Sequence, residues 1–214
     1  MDPRGIRTYM KGIENYSSEW PKKYELEAEK IKAILGDDVK DIQHIGSTSI
    51  PGVIGKPLID IGVLVDSIDD IDSFVKKLEP LGYSYRPDMS SVERIFLRKG
   101  DPVEYHLSIA CPKHTFWNRQ MSFRDYLRKH PELIEEYNQL KSKNIEVTPD
   151  EDFSDLSRSK VYNQGKDEFV EKVLKLTEIQ RATLISSTGA STRLAGSTLS
   201  DEEIEQINKS SGQK

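Results

Sequence analysis

The sequence predicts an α/β (α+β) domain of two layers, and two observations carry that expectation. The hydrophobic periods alternate along the chain in the order helix, strand, strand, helix, then strands, then helices. The run Leu58-Ile59-Asp60-Ile61-Gly62-Val63-Leu64-Val65 is almost continuously apolar, as a strand buried on both faces is. No internal repeat stands out.

Each element follows from its local pattern. Residues 1–15 are polar and read as loosely held. A first helix begins at Ser17 or Ser18, which suit a cap, with Pro21 in the first turn. Its apolar positions are Tyr24, Leu26, Ala28, Ile31, Ala33, Ile34 and Leu35, and Gly36 stops it. Ile42 to Ile45 forms a short strand. Gly46 to Lys56 is a loop punctuated by Pro51 and Gly52, and Leu58 to Val65 is the buried strand. Ile71 to Leu81 reads as a helix with Phe74, Val75 and Leu78 inward, closed by Gly82. Tyr83 to Arg86 is a third strand. Ile95 to Arg98 and Val103 to Ala110 bracket Lys99-Gly100-Asp101-Pro102 as a hairpin. Tyr126 to Lys129 and Pro131 to Lys143 read as helix, and Asn144 to Ser157 as acidic and irregular. Lys160 to Thr177 is a further helix with Val161, Phe169, Val173 and Leu176 on one face. Residues 183–200, rich in Ser, Thr, Gly and Ala, read as a linker, and Ser200-Asp201-Glu202-Glu203 is a capping box before Ile204 and Ile207. The expected organisation is a domain over residues 10–176 and a C-terminal tail over 177–214.

Composition narrows the function classes. The 214 residues suffice for one domain with a sizeable core. A formal net charge of -5 argues against a nucleic-acid coat, which needs a broad basic surface. Cys111 is the single cysteine, so neither an intramolecular disulfide nor a four-cysteine zinc site can form, and it reads as a reduced thiol near a strand end. Met1-Asp2-Pro3-Arg4 opens no apolar leader, and no run of 18 apolar residues exists. A cytoplasmic protein with no membrane association is the expectation.

The chemistry concentrates in His44-Ile-Gly46-Ser47-Thr48-Ser49-Ile-Pro-Gly-Val-Ile-Gly-Lys56-Pro57-Leu-Ile-Asp60-Ile. Gly46 carries no Cβ and lets backbone amides approach an anion. Ser47, Thr48 and Ser49 supply hydroxyls that can bond phosphate oxygens or satisfy their own backbone. Lys56, on an extended backbone before Pro57, supplies a point charge or a solvated cation. Asp60 is costly to bury among Leu58, Ile59, Ile61 and Val63 unless paired or bound to a metal, and otherwise bonds loop amides at a strand end. Period two puts Leu58 and Gly62 on its face of the strand, and Glu104, His106 and Ser108 on one face of theirs. His44 is a core or loop-anchoring histidine with no chemistry assigned.

This block resembles the signature of the GrpB family, a branch of the polymerase-β-like nucleotidyltransferase superfamily. There a Gly-Ser pair, here Gly46-Ser47, precedes a carboxylate on a strand, here Asp60. The resemblance runs from about Tyr16 to Val173. Its other pieces are Trp20, Glu104-Tyr-His106-Leu-Ser108, Phe123-Arg124-Asp125-Tyr126-Leu127-Arg128, Tyr137 with Lys141, and Tyr162 with Lys166. It implies a nucleotidyltransferase-like mixed sheet flanked by helices, with a C-terminal helical tail. It implies a nucleoside triphosphate as substrate, an unidentified acceptor, and Mg2+ or Mn2+ as cofactor. Gly46, Ser47, Thr48, Ser49 and Lys56 would bind phosphate, with Arg94 and Arg98 lining the pocket. Asp60 and Glu104 would hold the metal, with His106 as ligand or general base. The nearest surface alternatives are a hairpin face carrying Glu104 and His106, and ordinary ion pairing of Arg124, Asp125 and Arg128 on a helix. Tyr162 and Lys166 would lock the last helix onto the domain.

Two features depart from that pattern. The superfamily places a second carboxylate two residues after the first, and here that position is Gly62. Two-metal phosphoryl chemistry needs several oxygen ligands. Some family members are labelled dephospho-CoA kinase, yet this chain has no Gly-x-x-x-x-Gly-Lys-Ser/Thr loop, so kinase activity is not expected. The leading expectation is metal-dependent nucleotide transfer, and the alternative is an inactive module that binds a nucleotide or partner. The segment Ser191-Thr-Arg-Leu-Ala-Gly196 resembles the stretch ahead of Fic domains, with alanine in place of glutamate, and suggests a toxin–antitoxin role as a third reading.

Overall fold

The computed structural model describes residues 13–147 and 165–194, the latter without side chains from 185 onward. The expectations for residues 1–12, Val161, Tyr162 and the capping box at Ser200 lie outside the described residues. The chain divides into two compact units, with the break after Phe169.

The first unit contains a mixed five-stranded sheet in the order β1-β2-β5-β4-β3. The strands are β1 (Asp41–Ile45), β2 (Ile59–Leu64), β3 (Tyr83–Tyr85), β4 (Arg94–Lys99) and β5 (Tyr105–Ala110). β2 and β5 run parallel, and every other pair is antiparallel. The helices are α1 (Glu19–Leu35), α2 (Ile71–Leu78), α3 (Thr115–Lys129), α4 (Pro131–Val147) and α5 (Lys166–Leu194), the last continuing through the second unit. The expected α/β architecture, a mixed sheet flanked by helices, is the one observed.

Pleat and register divide the sheet into two unlike faces. Ile42, Ile59, Ile61, Val63, Ile95, Leu97, Leu107 and Ile109 alternate inward and join Trp20, Ile31, Leu35, Phe74 and Leu78 of α1 and α2 in one core. Each such side chain, fully buried, contributes about 1.5–3 kcal/mol. Helix ends follow local chemistry: Asp70 caps α2 by accepting from the Ser73 amide at 3.1 Å, and Gly36 leaves α1 with φ +59°.

Four local expectations change. α3 starts at Thr115, eleven residues before the predicted Tyr126, because its buried positions are Trp117, Arg124 and Leu127, and an inward arginine breaks the apolar period. α4 continues through the predicted irregular start to Val147, its inner face carrying Lys141 and Asn144 beside Tyr137 and Ile145. β5 opens at Tyr105 instead of Val103, because the turn is longer than four residues and closes with the Glu104 amide on the Lys99 carbonyl at 2.9 Å. The Ser/Thr-rich stretch from 183 to Leu194 is helix and not linker. Thr183 Oγ1 donates to the Ile179 carbonyl at 2.8 Å, which keeps its hydroxyl satisfied within the helix.

Candidate functional site

The site is built on the second face of the sheet, where the loop after β1 folds over the start of β2. Gly46 has φ +69°, and Ser47–Ser49 follow as one tight 3-10 turn. A Cβ at Gly46 would stand 2.3 Å from Asp60 Oδ2. Glycine therefore serves both the left-handed backbone and the close seat of the carboxylate.

Three helix side chains and the loop's own hydroxyls hold this turn. Thr48 is buried, meets His44 Nε2 through Oγ1 at 3.0 Å and donates to the Leu58 carbonyl at 3.1 Å. Ser49 Oγ donates to the Gly46 carbonyl at 2.6 Å. For these two, the self-satisfied alternative describes the structure, and neither hydroxyl proton faces a ligand. Arg128 of α3 donates twice to the Ser49 carbonyl, at 3.1 and 2.7 Å, and Arg124 donates to the His44 carbonyl at 3.0 Å and to Gln43 Oε1 at 2.8 Å. Arg124 also pairs with Asp125 at 2.7 Å, yet it is buried, so this is not the ordinary helix-surface pairing expected as the alternative. Lys141 of α4 donates to Ser47 Oγ at 3.0 Å and to the Ile54 carbonyl.

Asp60 and His106 meet by sheet register. The parallel β2–β5 ladder places them side by side, with His106 Nδ1 at 3.1 Å from Asp60 Oδ1. Both remain partly accessible, their side chains 33% and 17% exposed. Glu104 does not join them: it is exposed and belongs to the hairpin turn, its carbonyl accepting from the Ile59 amide at 2.9 Å. It stands just before β5, where its backbone closes the turn. Among the described residues, no three His, Cys, Asp or Glu side chains gather as a metal site. The place of a second carboxylate is tightly packed: a Cβ at Gly62 would stand 3.2 Å from Trp117 Cζ3 and 3.3 Å from Ile45 Cγ2, so those side chains would have to give by a few tenths of an ångström.

Several cations feel the Asp60 carboxylate. Burial lowers Lys141 to about 7, Lys166 adds to that shift and Asp60 opposes it. Burial likewise lowers Lys166, with Asp167 and Asp60 opposing. Arg94 on β4 is lowered by burial and countered by Asp60. Arg98 stands opposite His106 on the same face. Lys56 is half-buried in the loop, and the turn after it bonds the Leu58 amide to its carbonyl at 2.7 Å. His44 lies on the core side, stacked on Tyr24 at 5.0 Å, and burial lowers it to about 4. It is a neutral anchor of the loop at ordinary pH.

In the sequence, Tyr137 and Lys141 stand only as points of resemblance. The signal for Lys141 is its spacing, four residues after a tyrosine on one helix face. A lysine there needs a polar partner.

A family model described as GrpB protein matches residues 12–176. The chain is 32% identical over 156 residues to UPF0157 protein YqkA of Bacillus subtilis, covering 72% of this chain but 43% of that protein. It thus spans less than half of that relative. Among solved structures it is similar to the conserved protein GrpB from Enterococcus faecalis, at 32% identity and a TM-score of 0.66, over 77% of this chain and 96% of that one. A fainter likeness, 14% identical with a TM-score of 0.40 over 61% of this chain and 41% of that one, is to the Cid1 poly(U) polymerase, and it places no residue. Among the described residues no helix is long and apolar enough to cross a membrane.

Proposed function

The chain belongs to the GrpB family, and on that premise we propose that its site binds the polyphosphate of a nucleoside triphosphate as a binding module of nucleotidyltransferase type. The observation that carries this reading is the Asp60 carboxylate, seated against the Gly46 turn, in contact with His106 and acting electrostatically on Lys141, Lys166 and Arg94. Such a set attracts a polyanion. Its lone acid fits one hard cation carried in on phosphate oxygens, since Mg2+ is commonly held by one or two carboxylates plus phosphates and water. Asp60 would be that ligand, and Mg2+ or Mn2+ would supply charge neutralisation. The donor set does not fit a pair of metals, because position 62 carries no acid and Glu104 is exposed in the hairpin turn. Gly46 and Ser47 would face the phosphates, while Thr48 and Ser49 keep the turn in shape.

Calorimetric titration with the four ribonucleoside triphosphates, with and without Mg2+, tests the reading. The expected result is metal-dependent binding by the wild type, weakened about tenfold or more in Asp60→Asn, which corresponds to about 1.4 kcal/mol. Absence of binding by any nucleotide overturns it.

A second reading keeps transfer chemistry to an unidentified acceptor, and the contact between Asp60 and His106 favours it. A carboxylate on Nδ1 orients an imidazole so that Nε2 can accept a proton from an acceptor hydroxyl. Incorporation of label from an α-labelled triphosphate, abolished in His106→Gln with nucleotide binding intact, would select this reading.

A further inference from the structure

Arg94 is unlike the other arginines around the site. Arg124 pairs with Asp125, and Arg128 grips the Ser49 carbonyl. Arg94 is half-buried, and its contacts are neutral: Nη1 donates to Ser108 Oγ at 3.1 Å, and Nη2 reaches the Met89 carbonyl at 3.5 Å. Among the described residues no carboxylate pairs with it. Asp60 acts on Arg94 electrostatically without a direct ion pair, and a desolvated cation lacking a directly bonded carboxylate is costly to keep.

The guanidinium is also held flat. It lies over the Phe96 ring at 4.7 Å and the Phe116 ring at 5.0 Å. Stacking between rings fixes the plane of a guanidinium and leaves its in-plane N–H donors for a bidentate partner. Phe96 in turn meets the His106 ring edge-on at 4.9 Å, so Arg94 and His106 are gathered round one phenyl ring. Arg98 stands opposite His106 on the neighbouring strand. Strands lie about 4.8 Å apart, so β4 is about 10 Å from β2 and from Asp60. Lys141 instead bonds Ser47 in the loop that seats Asp60.

We propose that Arg94, beside His106 and Arg98, receives an anionic group, a carboxylate or a phosphate, on a second small-molecule ligand. That this anion is the second rests on the nucleotide reading, while the receptor itself rests on Arg94 and its two rings.

The test uses the whole chain and two probes, inorganic phosphate and succinate. Each is titrated with and without saturating Mg2+–ATP, and the readouts are Tm and the rate of phenylglyoxal modification at Arg94 mapped by peptide mass. The expected result is that one probe raises Tm by mass action and slows modification of Arg94 whether or not ATP is present. The probe that does so identifies the anion as phosphate or carboxylate. Arg94→Met and Arg94→Lys should both lose the probe-induced shift, in the absence of ATP as well as in its presence. Arg94→Lys retains charge and stem, and so carries the test if Arg94→Met fails to fold. The proposal is overturned if neither probe protects Arg94, if the shift survives in Arg94→Lys, or if ATP abolishes it. Failure of ATP to bind would sink the nucleotide reading alone, because protection of Arg94 is read without it.

Discussion

Asp60 and Ile61 are adjacent on β2 and meet opposite worlds. Ile61 enters a face lined by isoleucine, valine and leucine and covered by α1 and α2. Asp60 enters a face that carries His106, Ser108, Arg94, Arg98 and a glycine. The first face is filled by interchangeable apolar volume. The second is filled by particular partners: Trp117 over Gly62, and Asp60 over Gly46. A sheet with one face closed by generic packing can keep the other for polar groups whose burial would otherwise be destabilising.

The contrast can be broken most forcefully on the core face. Ile61→Ala, at a side chain with no exposure, should lose about 2–5 kcal/mol in denaturant unfolding. The folded fraction should still bind nucleotide. A cost below that range would mean the apolar face is not the one that holds the fold.

On the site face, effects should be smaller in stability and larger in binding. Gly62→Asp adds atoms against Trp117 and Ile45 and should cost about 1–3 kcal/mol. It should not create transfer activity, although restoring the missing acid is the obvious way to seek it. Appearance of label transfer in that variant would show that Trp117 can yield. Gly46→Ala meets two penalties, the positive φ and the Asp60 carboxylate. In an Asp60→Ala background the contacts with Oδ2 and Cγ are relieved, leaving the backbone penalty of about 1–2 kcal/mol and the tight approach to the Cβ at position 60. A double-mutant cycle reads the difference as coupling between the two sites.

Lys141 sharpens the comparison through pH. Its folded value is about 7 against an ordinary lysine value of 10.5 in the unfolded chain, because burial disfavours the cation. Below about pH 7 both states hold the proton and the full penalty is present. Between the two values the unfolded chain holds more protons, so stability rises with pH across that window. Lys141→Met should abolish this rise, and the stability gap between wild type and variant should widen from about pH 7 to pH 10. A constant gap would mean that Lys141 does not titrate there. The smallest effect belongs to Glu104→Gln, where an exposed side chain should move stability by no more than about 0.5 kcal/mol. Metal-dependent nucleotide affinity should be unchanged, and a large loss would return Glu104 to the metal site.

Much of the molecule is legible in one dimension. The apolar run of β2, the alternation of β4 and β5, and the glycines at 36, 46 and 82 mark elements and stops, because period and φ are local properties. The Gly46 to Asp60 block marks the turn that seats a carboxylate for the same reason: the residues belong to one turn and one strand. What local pattern could not supply was the set of partners. His106 is 46 residues from Asp60, and Lys141 is 94 from Ser47. Glu104 and His106 share a face by alternation, yet only the ladder's end decides that one joins Asp60 while the other closes a turn. Arg124 and Lys141 are buried and Arg128 reaches the Ser49 carbonyl from an exposed position, on helices whose buried faces mix polar with apolar residues and so leave no clean apolar period to read. The sequence by itself determined the order of elements and the turn that seats a carboxylate. The tertiary structure decided which charges surround that carboxylate and that Trp117 occupies the space beside Gly62. Strand register and helix packing make those choices between residues far apart in the chain, and neither leaves a local trace.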